Sequence, residues 1–370
     1  MFPVIRAILL AAYATLGSVS AAELSAVKIP VVRGLIVTTA IAEPNGDYES
    51  RKHLSEHEEG GWILSYSSSV ATPDGSPREM SCTRFLHDTD LATARIYRNQ
   101  FEDGADEDYP GTTALGASRL ILAELKTKGT ASFAMVGDSQ WLARTAKTDP
   151  AQAALLQLTG GLMSNSNTSF KGELKRRTTG SLSVLVNGQP QALPVVIANG
   201  RFTAKNGAAM QVELSLLDDA ANPLALQWRI GSSALRVVRL DFPATTASKS
   251  MGETLRQQKR VTLPGLYFDF GSTVLKPESS TALKAILVAV RANAGKKIQL
   301  EGHTDNIGNA NANLMLSRAR AKAVQAALLK LDATLAARLQ AEGYGAARPK
   351  ADNNTLEGRA QNRRVELVLL

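Results

Sequence analysis

Asp305, Arg320 and Arg363 are the residues of this sequence whose types and spacing best suit the binding of a charged ligand. A carboxylate such as Asp305 accepts hydrogen bonds from a cationic group. A guanidinium takes a carboxylate through two parallel hydrogen bonds, where a lysine offers only a point charge. Asn313, Leu316 and Arg320 stand at i, i+3 and i+7, hence on one face of a helix, and Val324, Leu328 and Leu331 continue that face as an apolar stripe. An arginine that interrupts such a stripe calls for a partner: a ligand or, in a purely structural reading, Asp305 itself or water reached by snorkelling. Arg363 and Arg364 stand at the entry to a final strand. Period-two alternation there groups Arg363 with Val365, Leu367 and Leu369, and Arg364 with Glu366; if the strand already begins at Arg363, that residue faces inward and Arg364 outward as a solvated or structural charge. Arg363 is therefore a second carboxylate-binding candidate. His303 reads as a packed, hydrogen-bonded histidine rather than a catalyst, because no Ser or Cys nucleophile accompanies it at a readable spacing.

These residues fall in four separated blocks: LEGHTDNIG at 300–308, LSRARA at 316–321, GYG at 343–345 and ADNNTLEGRAQNRRV at 351–365. In that order they resemble the OmpA-like peptidoglycan-binding domain of Gram-negative envelope proteins, over roughly residues 261–370. The resemblance implies noncovalent binding of peptidoglycan through the diamino acid of its stem peptide, whose ammonium beside a carboxylate asks for one acceptor and one rigid cationic donor. Asp305 falls on the family's aspartate after G-H-T, and Arg320 on the arginine of L-S-x-x-R. Phe268 and Asp269 match the family's Phe-Asp at the end of the first strand, close to the pocket by analogy, although Asp269 serves equally as a turn cap. Thr304 is placed to bond the ligand or shape the loop, and Asn313 and Leu316 share the face of Arg320. One position departs from the pattern: Ala312 stands where many relatives carry a larger, often aromatic residue, which puts a stacking contact in question.

The elements that must position this site read as α+β, with helices on one face of a sheet, preceded by a β-rich region with some helices. Residues 261–270 read as a strand. Pro277 opens a helix to about Ala294, tolerated in the first turn because the missing donor is an orphan there, and Gly295 ends it. Residues 297–301 form the next strand, 310–331 a long helix, 341–344 a strand and 364–370 the last. Before them, the polar stretch 244–260 is expected as a linker.

A chain of 370 residues suggests two or three domains. Residues 1–22 read as an export signal: Arg6, then an apolar stretch of 13 residues at 7–19, then small residues before a cut near Glu23. That stretch is short for a bilayer span of roughly 20 residues. No cysteine stands at the cleavage region, so a lipid anchor is not expected. With Cys82 as the single cysteine, the chain has no internal disulfide, and Cys82 reads as a small buried hydrophobe. The expected location is the periplasm, with association to the outer membrane left open.

Residues 23–165 read as a mixed α/β region, with helices at 91–101 and 113–128, the latter stopped by Gly129, and 166–243 as an antiparallel meander or sandwich with turns at Asn187-Gly188, Asn199-Gly200 and Asn206-Gly207. A membrane barrel is not expected, because the runs are short and aromatic residues make up only 5% of the chain, too few for two girdles. His53 and His57 at i, i+4 would offer a metal face on a helix but lack a third placed ligand, so they read as a solvated loop. The acidic cluster at 102–108 lacks the alternation of a calcium loop and reads as an exposed connection. Trp62, Trp141 and Trp228 read as core. No metal or cofactor is called for.

Charge is uneven: residues 261–370 hold 15 Lys+Arg and 9 Asp+Glu, giving +6 of the chain's net +8. Without stacking aromatics among the basic residues a nucleic-acid partner is not expected, whereas acidic stem peptides fit and would be steered in. The expected role is therefore a wall anchor that links peptidoglycan to the outer membrane or to an envelope protein, with monomer and homodimer both open. The alternative is an envelope enzyme tethered by its C-terminal domain, which requires paired carboxylates or a nucleophile and base converging within 23–243. No such motif is visible there.

Overall fold

The computed structural model describes residues 28–42, 48–71, 77–137, 168–205, 207, 209–230, 233–243, 247–268 and 271–370. The expected export signal, Trp141, Asn206 and Asp269 lie outside the described residues. The fold is α+β, in two bodies with separate cores.

The front body opens with β1 Ile36–Ile41, β2 Tyr48–Glu58, β3 Gly61–Ala71 and β4 Pro77–His87. It continues through α1 Asp88–Thr93, β5 Ile96–Arg98, β6 Asp106–Asp108, β7 Thr112–Thr113, α2 Arg119–Thr127 and β8 Thr130–Gly137. The long strands β9 Thr168–Val186 and β10 Gln189–Ala204 follow, then β11 Ala209–Leu217, β12 Ala225–Ile230 and β13 Ser233–Asp241. All thirteen strands join one sheet, in the order β6-β4-β3-β2-β1-β13-β12-β11-β10-β9-β8-β5-β7. A parallel pairing of Arg239 and Leu240 with Leu185 and Val186 closes β9 to β13 into a ring. The strands described on either side of the 165/166 boundary, β8 and β9, pair with each other in this sheet.

Local sequence explains much of this. Asn187 and Gly188 take φ of 48° and 76°, the left-handed pair that a two-residue hairpin between β9 and β10 requires. Ser118 caps α2 by accepting from the Ile121 amide, and Gly129 ends that helix at φ 78°. The expected helix at 91–101 is instead the short α1 followed by β5, and the one at 113–128 begins only at Arg119, because Thr112–Thr113 pairs with β5. Asn199-Gly200 is not a turn. It lies inside β10, where a side chain on Gly200 would overlap the Glu173 carbonyl, so the glycine serves close strand approach. Adjacent β10 residues enter different cores: Leu193 and Val195 pack with Leu54, Leu64 and Leu226, while Val196, Ala198 and Phe202 pack with Ile121, Phe133 and Trp228. Between Leu193 and Ala198 both faces of the strand are thus covered by protein.

The C-terminal body contains α3 Ala247–Gln258, β14 Arg260–Thr262, a 3-10 turn Pro277–Ser279, α4 Ser280–Arg291, β15 Ile298–Gly302, α5 Ala310–Leu331, β16 Leu339–Gly343, α6 Leu356–Asn362 and β17 Val365–Leu369. Its sheet runs β14-β17-β15-β16, antiparallel except for β15 with β16. The stretch expected as a linker is largely helix, since α3 sinks Met251 and Leu255 into the core of Ile286, Val290, Leu300, Val324, Leu328 and Leu367. The strand expected over 261–270 is confined to β14, after which the chain turns and meets itself again at the Phe268–Leu275 bridge.

The joint between the bodies is mainly polar. Among the described residues, its buried apolar cluster comprises Ala40, Val238 and Ala360, with Leu356 packed against it. Across it run Tyr267 Oη to Asp241 (2.5 Å), Lys276 to Glu79 (3.3 Å) and an ion pair of Arg236 with Glu357.

Candidate functional site

The site forms where the loop after β15 meets the start of α5 and the end of α6. Small residues set the approach: a Cβ on Gly302 would overlap the Ser317 carbonyl, and one on Gly343 would overlap the Arg318 amide, so α5 lies directly on β15 and β16. Asn309 caps α5, its side chain accepting from the amides of Asn311 (2.9 Å) and Ala312 (3.1 Å). The Thr304 amide donates to the Gly345 carbonyl (3.0 Å) and the Thr304 hydroxyl to the Asp305 carbonyl (2.8 Å). Asn313 Nδ2 donates to the carbonyls of Ile307 (2.9 Å) and Asp305 (3.4 Å). Thr304 and Asn313 therefore spend these groups on holding the loop.

That loop fixes the Asp305 carboxylate. Its Oδ1 accepts from the Ile307 amide (3.1 Å) and its Oδ2 from Arg363 Nη1 (2.5 Å). The structural reading that paired Asp305 with Arg320 is thus replaced by a pair with Arg363. Arg320 instead donates from Nε to the Ser272 carbonyl (3.0 Å), with its guanidinium 5.0 Å from the centre of the Phe268 ring. Asp305, Arg320, Arg363, Thr304, Asn313, Leu316 and Phe268 line one cavity of about 240 Å³. Seven of the eight residues singled out in the sequence are brought together there, and the eighth, Asp269, lies outside the described residues.

Sequence reasoning missed the far wall. Glu49, Arg51, Ser69 and Arg239 of the front body line the same cavity. Glu49 Oε1 accepts from both Nη2 (2.5 Å) and Nε (3.2 Å) of Arg363, and Arg51 Nη1 donates to the Phe268 carbonyl (3.1 Å). Burial would raise the Glu49 carboxyl, but Arg363, Arg239 and Arg51 outweigh it and hold the group at about 2. Burial would likewise lower Arg363, yet Glu49 and Asp305 keep it above its ordinary value. Among the described residues that line the cavity, four guanidiniums, of Arg51, Arg239, Arg320 and Arg363, stand beside the carboxylates of Glu49 and Asp305, a lining suited to a ligand that carries acidic groups.

Behind the site Arg364 is not solvated. Its side chain is only 8% exposed and donates to Glu366 Oε1 (2.9 Å), the structural alternative of the two expected for it. Glu301, His303 and Glu366 come close enough to suggest a metal site. Arg260 bridges both carboxylates, while Arg348 reaches Glu301 and Arg364 reaches Glu366. Guanidiniums already supply the charge an ion would bring. His303 stacks on Tyr344 with ring centres 5.7 Å apart, but its ring nitrogens make no hydrogen bond among the described residues, contrary to the hydrogen-bonded histidine expected. Burial and the neighbouring Arg364 push its pKa down to about 4.

The other expectations fare unevenly. His53 and His57 lie on strand β2, not on a helix or in a loop, and His57 pairs with Asp88 at 3.0 Å. The acidic stretch at 102–108 is not merely an exposed connection: Glu107 is buried against the fully buried Arg84, a pairing that β6 brings about by lying alongside β4. Cys82 is buried, Trp228 is core and Trp62 packs at the core's edge.

Residues 267–363 match the model of the OmpA family. Outer membrane protein A of Bordetella avium is 33% identical over 196 residues, covering 49% of this chain and 97% of that protein. The peptidoglycan-associated lipoprotein of Pseudomonas putida is 44% identical over 101 residues, or 27% of this chain and 60% of the relative. The crystal structure of the peptidoglycan-associated lipoprotein from Burkholderia pseudomallei shows 31% identity, covers 28% of this chain and 88% of that one, and has a TM-score of 0.25. The chain spans nearly all of the first of these but only part of the Pseudomonas relative.

Proposed function

We propose that this chain, which belongs to the OmpA family, is an envelope protein that holds peptidoglycan noncovalently in the cavity between Asp305 and Arg320. The observation that carries the reading is the convergence of Asp305, Arg320, Arg363, Asn313 and Leu316 on one cavity rich in guanidinium. The name of the Pseudomonas putida relative, a peptidoglycan-associated lipoprotein, supports the same ligand. In this reading the stem peptide's diamino acid places its ammonium on Asp305 and its carboxylate on the planar fork of Arg320, with Arg363 as a second carboxylate receptor. Thr304 and Asn313 keep the Asp305 loop in shape, and Leu316 and Phe268 cover the aliphatic part of the ligand. The role is anchoring rather than turnover, and the front body serves as adaptor to the outer membrane or to an envelope partner.

The test is co-sedimentation of residues 244–370, which include α3 and the whole C-terminal core, with isolated sacculi. The natural sequence should pellet. Arg320→Ala and Asp305→Asn should each weaken pelleting about tenfold or more, the usual cost of removing one partner of a charge-assisted contact. Full pelleting by both variants would sink the assignment.

A further inference from the structure

Resting on that reading, we infer that the front body is a built-in cover for the ligand site, and that Glu49 is an internal competitor occupying the edge of Arg363 that a ligand carboxylate would take. A guanidinium presents its best carboxylate-binding geometry along an edge where two N–H groups run parallel. On Arg363 that edge is Nε and Nη2, and both donate to Glu49 Oε1, while Nη1 is turned to Asp305. Glu49 comes from β2, 314 residues away in the sequence, so nothing in the C-terminal fold requires it there. Held at about 2, its carboxyl stays ionised throughout the mildly acidic to neutral range and competes as a full charge.

The cover is built to separate. A joint meant to be permanent would bury a large apolar patch, whereas this one shares the small cluster of Ala40, Val238, Ala360 and Leu356 and relies on ion pairs and hydrogen bonds, the character of transient contacts. The joint is also loosely filled. Besides the ligand cavity, two spaces of about 420 and 320 Å³ lie along it, the first between β2–β4 and the turn at Lys276 and Pro277, the second between Phe242 and α4. Each large core, by contrast, stays within one body. Opening costs polar contacts that water can replace, and it frees the Arg363 edge.

The test compares the full chain with its Glu49→Gln variant for binding to isolated sacculi, with residues 244–370 as reference. Gln keeps the size of the side chain and removes its charge. If the closed form outnumbers the open one about ten to one, the variant should bind about tenfold more tightly than the natural chain and approach the reference. Unchanged or weaker binding by the variant, while 244–370 binds, would overturn the inference and leave the ligand site standing. Failure of 244–370 and of both full-length forms to bind would overturn both. Hydrogen exchange gives a second readout: residues 48–54 should lose protection when soluble muropeptides are added to the full chain. Increased protection would mean that the front body closes on the ligand as part of the site, which also overturns the cover.

Discussion

Between Asp305 and Glu49, Arg363 carries two ion pairs on one guanidinium, and the residues behind it carry the opposite risk, a histidine sealed among arginines. His303 leads to a prediction about pH. Its folded pKa, about 4, lies below its ordinary 6.5, so the unfolded chain binds the extra proton first. A depressed histidine pKa leaves stability intact above about 6.5 and removes it as pH falls toward about 4, in total on the order of 3 kcal/mol. The midpoint of thermal unfolding of the C-terminal body should fall over that window, and His303→Phe should flatten the decline. An equal slope in the variant would assign the pH effect to other groups. Asp305, Arg320 and Arg363 were legible in the sequence because they sit inside short motifs. Glu49 and Arg51 were not, since a residue that reaches a site from another body leaves no mark in its own neighbourhood.

The contact of α5 with β15 and β16 depends on two strand glycines. Gly302→Ala would drive a methyl into the Ser317 carbonyl, and backbone on both sides leaves little room to yield. Overpacking of this kind costs typically 1–3 kcal/mol, and more where backbone must move. Urea unfolding of the variant should therefore show a lower midpoint, and sacculus binding should weaken because Asn313 and Arg320 move with the helix. An unchanged midpoint would mean that α5 can shift freely on the sheet. The extent of α5 was readable from its apolar spacing and polar start. Helix α3 was not: within a polar stretch only Met251 and Leu255 mark its buried face, a four-residue spacing too brief to outweigh its linker-like composition. Gly200 misled in the opposite direction, because Asn-Gly signals a turn unless close strand approach claims the glycine.

At the scale of the whole chain, separate cores joined by a polar seam imply separate melting. Calorimetry of the full protein should resolve two transitions, one of which coincides with that of residues 244–370 alone, and Glu357→Gln, which removes the Arg236 partner across the joint, should move the two by less than a few degrees. One merged transition would mean that the seam couples the bodies more strongly than its composition suggests. The C-terminal body was readable from the motif blocks and the change in charge. The continuity of the thirteen-stranded sheet was not, because strand order depends on pairings between distant segments. Most distant among the front strands is the union of β1 with β13, Ile36 beside Asp241, with β13 also closing the ring onto β9. Such pairings make folding slow, since loop-closure entropy is lost before any contact repays it. A chain emerging from its N-terminus can pair β1 with β2 early but must leave the other edge of β1 open until β13 arrives, and β13 carries the Asp241 that holds Tyr267. The front body is thus completed by the strand that also holds the cover in place, so a chaperone that delays β13 would leave the cover unformed.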